Sequence, residues 1–250
     1  MSVTMEGLVS GVVLLVSLSM LVFYYVKWRD NQCGWEIMYV MSVECVSYTM
    51  ALTLPYDVLY PEMMGGHRFC WFRYVMWAMT CPILIQQIIR VLTENEPDLN
   101  IVSKLMVSNI MMDLMGATAA IYSDIYVKVT ALTLAFLLFF GLMYSLAFIW
   151  MGNRKNFAEG TSRSRRDALI AMLSTWTIFP VLFVLGPAVA NVLSFTQSSA
   201  LHGIGDLLAK NMVGFTSWKI RHAYRANEVK KKKKLDKIRR GMSMQQGGQP

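Results

Sequence analysis

Charged side chains are scarce in this sequence of 250 residues: they make up 16% of it, against 55% hydrophobic residues, and they are confined to short islands. This composition excludes an ordinary soluble domain and is typical of a membrane protein. The four cysteines have neither the spacing of a metal site nor that of a disulfide framework, so we expect no metal centre. There is no internal repeat. No basic segment precedes the first apolar stretch, which argues against a cleaved signal peptide.

Long apolar stretches are present where a soluble protein would have alternating polar segments. Most of them approach the roughly 20 residues that an α-helix needs to cross a bilayer. They cover residues 8–26, 35–54, 69–92, 104–122, 126–151, 169–193 and 198–220. A transmembrane β-barrel would instead show alternating segments of about ten residues. The sequence therefore predicts an all-α membrane protein, a bundle of seven transmembrane helices.

Basic residues predict the orientation of this bundle, because loops rich in Lys and Arg stay in the cytoplasm. They follow the first, fifth and seventh spans, which places the amino terminus outside and the carboxyl terminus inside. Three acids between the third and fourth spans argue weakly for the opposite orientation. We expect residues 1–222 to form the membrane domain and residues 223–250 a basic, disordered cytoplasmic tail. The net charge of +8 then reflects topology and not nucleic-acid binding, although the run Lys230–Lys234 could bind anionic lipid headgroups.

Two ionisable residues in the seventh stretch are the most informative feature. Inside a membrane such a residue costs roughly 2.5–3.5 kcal/mol unless it has a partner. Asp206 and Lys210 are four residues apart, so on a helix they share one face, with His202 one turn further along. One interpretation is an ion pair that stabilises the bundle. The other is a lysine in a dry pocket that condenses with an aldehyde to form a Schiff base.

Other spans carry polar residues at defined depths. Glu44 lies in the middle of the second span and should face the bundle interior, where burial disfavours its charged form. Glu36 can reach the membrane interface, so we expect it to be solvated. Asp113 is one position off the stripe that Asn109 and Gly116 follow, which directs it toward a neighbouring helix or subunit. The first span is featureless and is expected to face lipid.

Three motifs lie in three different spans. They are Arg-Tyr-x-x-Trp-x-x-Thr-Cys-Pro at 73–82, Trp-x-x-Phe-Pro at 176–180, and Asp-Leu-Leu-Ala-Lys-Asn at 206–211. Together they resemble the microbial rhodopsin family, and the resemblance covers about residues 8–222. Within the family, Cys33-Gly-Trp-Glu36 followed by Glu44 resembles the channelrhodopsins.

The resemblance implies a chromophore. Lys210 would hold all-trans retinal as a protonated Schiff base, with Asp206 as the counterion. The residues that would enclose it are Trp77, Thr80, Cys81, Met112, Gly116, Trp176, Phe179 and Phe183. Met76, also beside the chromophore, stands where proton-pumping relatives carry the aspartate that accepts the Schiff-base proton, and Gln87 stands where they carry the acid that returns a proton. Neither side chain can titrate, so a pump is disfavoured.

The resemblance further implies a light-gated ion channel without enzymatic activity. The residues expected to line or gate its path are Glu36, Glu44, Ser47, Arg73, Asn109 and Asn211. Cation-conducting relatives carry further acids outward of Glu44, where this chain has Ser47 and Ala51. Because lining charge largely sets ion selectivity, we predict anion conduction, with chloride favoured. The alternatives are a cation channel and a sensory rhodopsin that signals through a partner. We expect a homodimer or homotrimer in the plasma membrane.

Overall fold

The computed structural model describes residues 5–63, 66–93, 97–157 and 161–246, with side chains as far as Ala226 and that of Val229. The loop acids Glu94 and Glu96 lie outside these ranges, as do residues 247–250 and the side chains of the lysine run. Within the described ranges the chain forms eight helices: α1 (Met5–Arg29), α2 (Trp35–Thr53), α3 (Tyr56–Leu59), α4 (Trp71–Leu92), α5 (Leu99–Ile121), α6 (Ile125–Asn153), α7 (Ser162–Leu185) and α8 (Phe195–Gln246).

Seven of these helices correspond to the seven predicted spans, and α3 is a single turn in the loop after α2. The predicted all-α, seven-helix membrane architecture is therefore confirmed. By length and composition alone, α1, α4, α6 and α7 are apolar enough to cross a membrane. The remaining long helices, α2, α5 and α8, carry most of the buried ionisable residues.

Local chemistry explains the helix boundaries. Asp98 and Asp124 cap α5 and α6, and their carboxylates accept hydrogen bonds from backbone N–H groups of the first turn. The predicted sixth span, 169–193, is shifted: α7 begins at Ser162 and ends at Leu185. The basic residues before 169 continue the helix, because Arg is a good helix former. Gly186 and Pro187 end it.

The last helix runs without a break past the expected domain boundary at residue 222, as far as Gln246. Its Lys, Leu and Arg residues have high helix propensity and no proline interrupts them, so the backbone there is helical and not irregular. The division into a membrane domain and a cytoplasmic tail stays a prediction.

The long helices form a closed ring in which each packs against its neighbours in the order α1, α2, α4, α5, α6, α7, α8. The fourth helix also contacts α6, α7 and α8, so it crosses the middle of the bundle. The expectation that the first span, α1, is featureless and faces lipid was wrong, because one face of this helix is buried and partly polar. That face carries Glu6, Ser10, Val13, Ser17 and Tyr24, spaced by three, four or seven residues, and packs against α2 and α8.

Candidate functional site

Lys210 lies on the inward face of α8 and is 2% exposed. Its amine is 3.3 Å from Oδ1 of Asp206 one turn earlier and 3.4 Å from Sδ of Met76 on α4. It is also 3.8 Å from Oε1 of Glu44 on α2. A buried cation is stable only with such partners. Three helices therefore converge on one amine, and two carboxylates face it.

The carboxylate of Asp206 is held in position from two sides. The indole Nε1 of Trp77 donates to its Oδ1 at 2.7 Å, and the hydroxyl of Tyr48 donates to its Oδ2 at 3.3 Å. His202 follows on the same stripe, with its Nδ1 2.7 Å from the carbonyl of Ser198. The shared face that the spacing of Asp206 and Lys210 predicts is present.

Glu44 lies beside the lysine, a proximity that sequence spacing could not reveal because the two residues are on different helices. Its side chain is fully buried, and neither carboxylate oxygen has a hydrogen-bond partner within the described structure. The expectation that Glu44 faces the bundle interior agrees with this placement. The sequence suggested Asp206 as the counter-charge of Lys210, and the structure adds Glu44 as a second.

A cavity opens from the amine between α4, α5, α6, α7 and α8. It encloses about 840 Å³ of empty space, part of it open to the outside, and its walls are overwhelmingly apolar. Seven of the predicted pocket residues line it: Trp77, Cys81, Met112, Gly116, Trp176, Phe179 and Phe183. Thr80 is buried but lies outside this lining, and its hydroxyl donates to the carbonyl of Met76. Met76 contacts the amine without lining the cavity.

Sequence reasoning missed the wall that α6 contributes. That wall consists of Leu132, Ala135, Phe136 and Phe139. Their spacing of three and four residues was a usable signal, but every face of α6 is apolar and the spacing alone does not select one. Tyr74, Leu84, Pro180 and Ala209 also line the cavity and went unpredicted.

Asp113 also lines the cavity, so the expectation that it faces away from the pocket was wrong. The amide of Asn109, one turn earlier, donates to its Oδ2 at 3.0 Å. Asp113 is four residues from Asn109 and three from Gly116, so it lies within about 60° of both around the helix and still reaches the bundle interior. Asn109, expected on the ion path, lies on the cavity wall with Asp113.

Beyond Tyr48, at one end of the bundle, lies a small polar space that we call the Arg73 chamber. Its polar lining consists of Glu6, Ser10, Tyr48, Tyr60, Arg73 and Ser199. Nη2 of Arg73 donates to both the carbonyl and the hydroxyl of Ser199 at 3.1 Å. Oε1 of Glu6 is buried without a hydrogen-bond partner within the described structure.

The opposite end of the bundle is closed by an ion cluster that we call the Glu36 cluster. Glu36 is buried, so the expectation that it is solvated was wrong. Its Oε1 is 2.5 Å from Nη1 of Arg90 on α4, and its Oε2 is 3.7 Å from Nη2 of Arg221 on α8. The two guanidinium groups, each on another helix, fold over the carboxylate and remove it from solvent.

Two further residues expected on the ion path bond within their own helices. The hydroxyl of Ser47 donates to the carbonyl of Val43 at 2.9 Å, and the amide nitrogen of Asn211 donates to that of Leu207 at 2.8 Å. Oδ1 of Asn211 and Oε1 of Gln87 are buried without partners within the described structure. The hydroxyl hydrogen of Ser47 is therefore used within α2, whereas Asn211 keeps a carbonyl oxygen that could accept from another group.

The geometry defines a class: a seven-helix membrane protein whose buried lysine opens onto an apolar, aromatic-walled cavity suited to a long flat ligand. The chain belongs to the bacteriorhodopsin-like protein family, whose model matches residues 5–224. Members of this microbial rhodopsin family generally bind retinal through a lysine Schiff base. The walls described above fit such a group, because they are apolar and aromatic apart from Asp206 and Lys210 at one end and the hydrogen-bonded pair of Asn109 and Asp113 on α5.

Solved structures agree on the fold. The red light-activated channelrhodopsin Chrimson is 19% identical, with a TM-score of 0.79, and the match covers 90% of this chain and 78% of that one. The proton pump AR2 of the marine alga Acetabularia acetabulum is 18% identical, with a TM-score of 0.78, covering 89% and 96%. Halorhodopsin, a light-driven chloride pump, is 17% identical, with a TM-score of 0.76, covering 90% and 98%. No curated protein matches in sequence. A channel and two pumps share the fold, so the fold alone does not assign the activity.

Proposed function

We propose that this protein is a light-gated ion channel that holds all-trans retinal on Lys210 and conducts anions passively. The observation that carries the proposal is the environment of the lysine amine. On α4 it meets the thioether of Met76, and about three turns further along the same face of α4 lies Gln87. Neither group can take up or release a proton.

The chain's own groups would hold the chromophore. When bound, retinal supplies a conjugated cation that absorbs visible light. Asp206, fixed by Trp77 and Tyr48, and Glu44 would place negative charge next to that cation. Trp77, Trp176 and Phe179 would confine the polyene, and the apolar walls would exclude water. A low-dielectric pocket strengthens the attraction between cation and carboxylates.

Channel activity is favoured over proton pumping because α4 lacks titratable residues at the two positions where a pump would accept and donate protons. A pump requires an acceptor and a donor of protons on opposite sides of the lysine. The position on the donor side is Gln87, whose amide has no titratable proton. Polar closures at both ends of the bundle, the Arg73 chamber and the Glu36 cluster, support a path that is closed in the resting state.

Anion selectivity is supported by the distribution of charge along that path. Outward of Glu44, α2 carries Ser47 and Ala51, which bear no charge. The guanidinium of Arg73 is the main fixed cation of its chamber. Both carboxylates at the centre face Lys210, which offsets their repulsion of an anion. The buried carboxylate of Glu6 in the same chamber is the one observation that favours cation conduction as the alternative.

The distribution of basic residues gives the proposed orientation of the protein in the membrane. The Arg73 chamber would face the outside, with the amino terminus, and the Glu36 cluster would face the cytoplasm, with the carboxyl-terminal helix. We place the protein in the plasma membrane as a homodimer or homotrimer.

Voltage-clamp recording under illumination tests the proposal. A channel gives a current that reverses with voltage, a pump gives a current of fixed direction, and a sensor gives none. We expect the reversal potential to follow the chloride gradient and to ignore replacement of sodium by a large organic cation. A reversal potential that tracks sodium or protons would refute anion selectivity and leave the light-gated channel intact.

A further inference from the structure

A strongly basic concavity lies where α6 ends and α7 begins, and it shares no lining residue with the lysine pocket. It is lined by Trp150, Arg154, Lys155, Ser162, Arg163 and Arg166. All four basic side chains are exposed, and no acid lines the concavity among the described residues. Glu159, in the connecting loop, lies outside the described residues.

Among the described residues, only one of these four basic side chains, Arg166, forms an ion pair with an acid. Arg166 contacts Asp167 at 3.2 Å, and both side chains are about half exposed. Such a surface pair is weak. Arg154 stands over the ring of Trp150 at 5.8 Å, which orients its guanidinium without neutralising it. The first turn of α7 adds the partial positive charge of a helix amino end. The concavity therefore presents a field suited to a phosphate-bearing anion.

The wall of the concavity contains an unsatisfied donor. The indole Nε1 of Trp150 is buried and has no hydrogen-bond acceptor within the described structure. A buried donor without an acceptor costs about 1–3 kcal/mol, and an unfilled partner such as a water or an ion is a common explanation. This observation is independent of the basic side chains.

An apolar stripe on α6 leads directly into the concavity. Tyr144, Phe148 and Met151 are 68%, 61% and 47% exposed, and the rings of Tyr144 and Phe148 stack at 6.2 Å. Lys155 follows four residues after Met151, just beyond the end of α6, and lines the concavity. An occupant that satisfies both surfaces has an anionic head and an apolar chain, which distinguishes a phospholipid from a free phosphate.

We propose that this concavity binds the headgroup of an anionic phospholipid, whose acyl chain lies along Tyr144, Phe148 and Met151. The basic side chains would contact the phosphate, and Trp150 would anchor the helix end at the membrane interface. The proposal does not rest on the chain being a channel or on its binding retinal.

Native mass spectrometry of the full chain from mixed micelles tests the site, with phosphatidylglycerol and phosphatidylcholine as the competing lipids. The site variant is Arg154→Gln/Arg163→Gln/Arg166→Gln. The control variant, Arg29→Gln/Lys104→Gln/Lys219→Gln, removes three exposed basic residues outside this concavity. Each basic side chain near an anionic surface contributes about fivefold to binding. We therefore expect the site variant to lose its preference for phosphatidylglycerol by on the order of a hundredfold, and the control to change much less.

Three results would overturn the proposal. An equal loss in the control variant would show general attraction between a basic surface and acidic lipid. Competition by millimolar inorganic phosphate as effective as that by phosphatidylglycerol would assign the concavity to a free anion. Finally, Phe148→Ser/Met151→Ser should weaken lipid retention. If it instead dissociates an oligomer and leaves retention unchanged, the apolar stripe is covered by a second copy of the chain.

Discussion

The Glu36 cluster predicts that neutralising Arg90 and neutralising Glu36 change the stability of the bundle by different amounts. Glu36 is 2% exposed at the side chain, whereas Arg90 and Arg221 are each 38% exposed. Arg90→Gln leaves a buried carboxylate with one cation at 3.7 Å. Glu36→Gln instead leaves two cations that can turn toward solvent. We therefore expect Arg90→Gln to destabilise the bundle and Glu36→Gln to have a small effect.

The magnitude follows from the distances. At an effective dielectric constant of about 20, the attraction is roughly 6–7 kcal/mol at 2.5 Å and roughly 4–5 kcal/mol at 3.7 Å, before desolvation and screening. Breaking a fully buried pair costs about 3–5 kcal/mol. Because the guanidinium groups are partly exposed and Arg221 remains, we expect about 2–3 kcal/mol for Arg90→Gln. For Glu36→Gln we expect about 1 kcal/mol or less.

Reversible unfolding in a denaturing detergent, analysed as a double-mutant cycle, measures these differences. The double variant Glu36→Gln/Arg90→Gln should recover most of the stability that Arg90→Gln loses, because no buried charge is left unpaired. The exposed pair Asp57–Arg68, at 2.9 Å, is the control and should show no measurable coupling. Equal losses for Glu36→Gln and Arg90→Gln, with no recovery in the double variant, would refute the reasoning.

The remaining predictions concern the lysine site, the ion path and a buried thiol. Lys210→Ala should abolish the visible band of protein reconstituted with retinal, and an unchanged absorption spectrum would exclude this lysine as the attachment site. Glu44→Gln should keep anion photocurrents but alter their closing rate, because the amine then faces a neutral amide in place of the carboxylate at 3.8 Å; identical kinetics would make Glu44 purely structural. Acids introduced as Ser47→Glu and Ala51→Glu should shift the reversal potential away from that of chloride, and insensitivity would remove α2 from the path. Burial raises the pKa of Cys33 from 9.0 to about 11, so at pH 8 its thiolate fraction is about a hundredfold lower and maleimide labelling of the folded protein should be slow; labelling as fast as that of a free thiol would contradict this burial.

The structure corrects the sequence interpretation chiefly where polar residues meet across helices. Glu36 was expected in solvent because its depth in the span allows it, but Arg90 and Arg221 arrive from α4 and α8 and bury it. Asp113 was expected to leave the pocket because it is off its stripe, yet it lines the cavity beside Asn109. In both cases the position along one helix was predictable, and the surroundings that the packing of the other helices creates were not.

The sequence by itself determined the number of spans, the all-α architecture and the shared face of Asp206 and Lys210, because these depend on hydrophobic length and on the period of one helix. The motifs also indicated the family, which the match over residues 5–224 confirms. Only the tertiary structure decided which side chains converge on the amine. Helix packing brings Glu44 and Met76 to Lys210 from α2 and α4, and it selects one face of the uniformly apolar α6 as a cavity wall. The physical reason is that a helix repeat specifies directions within one element, whereas contacts between elements depend on how the whole ring of helices packs.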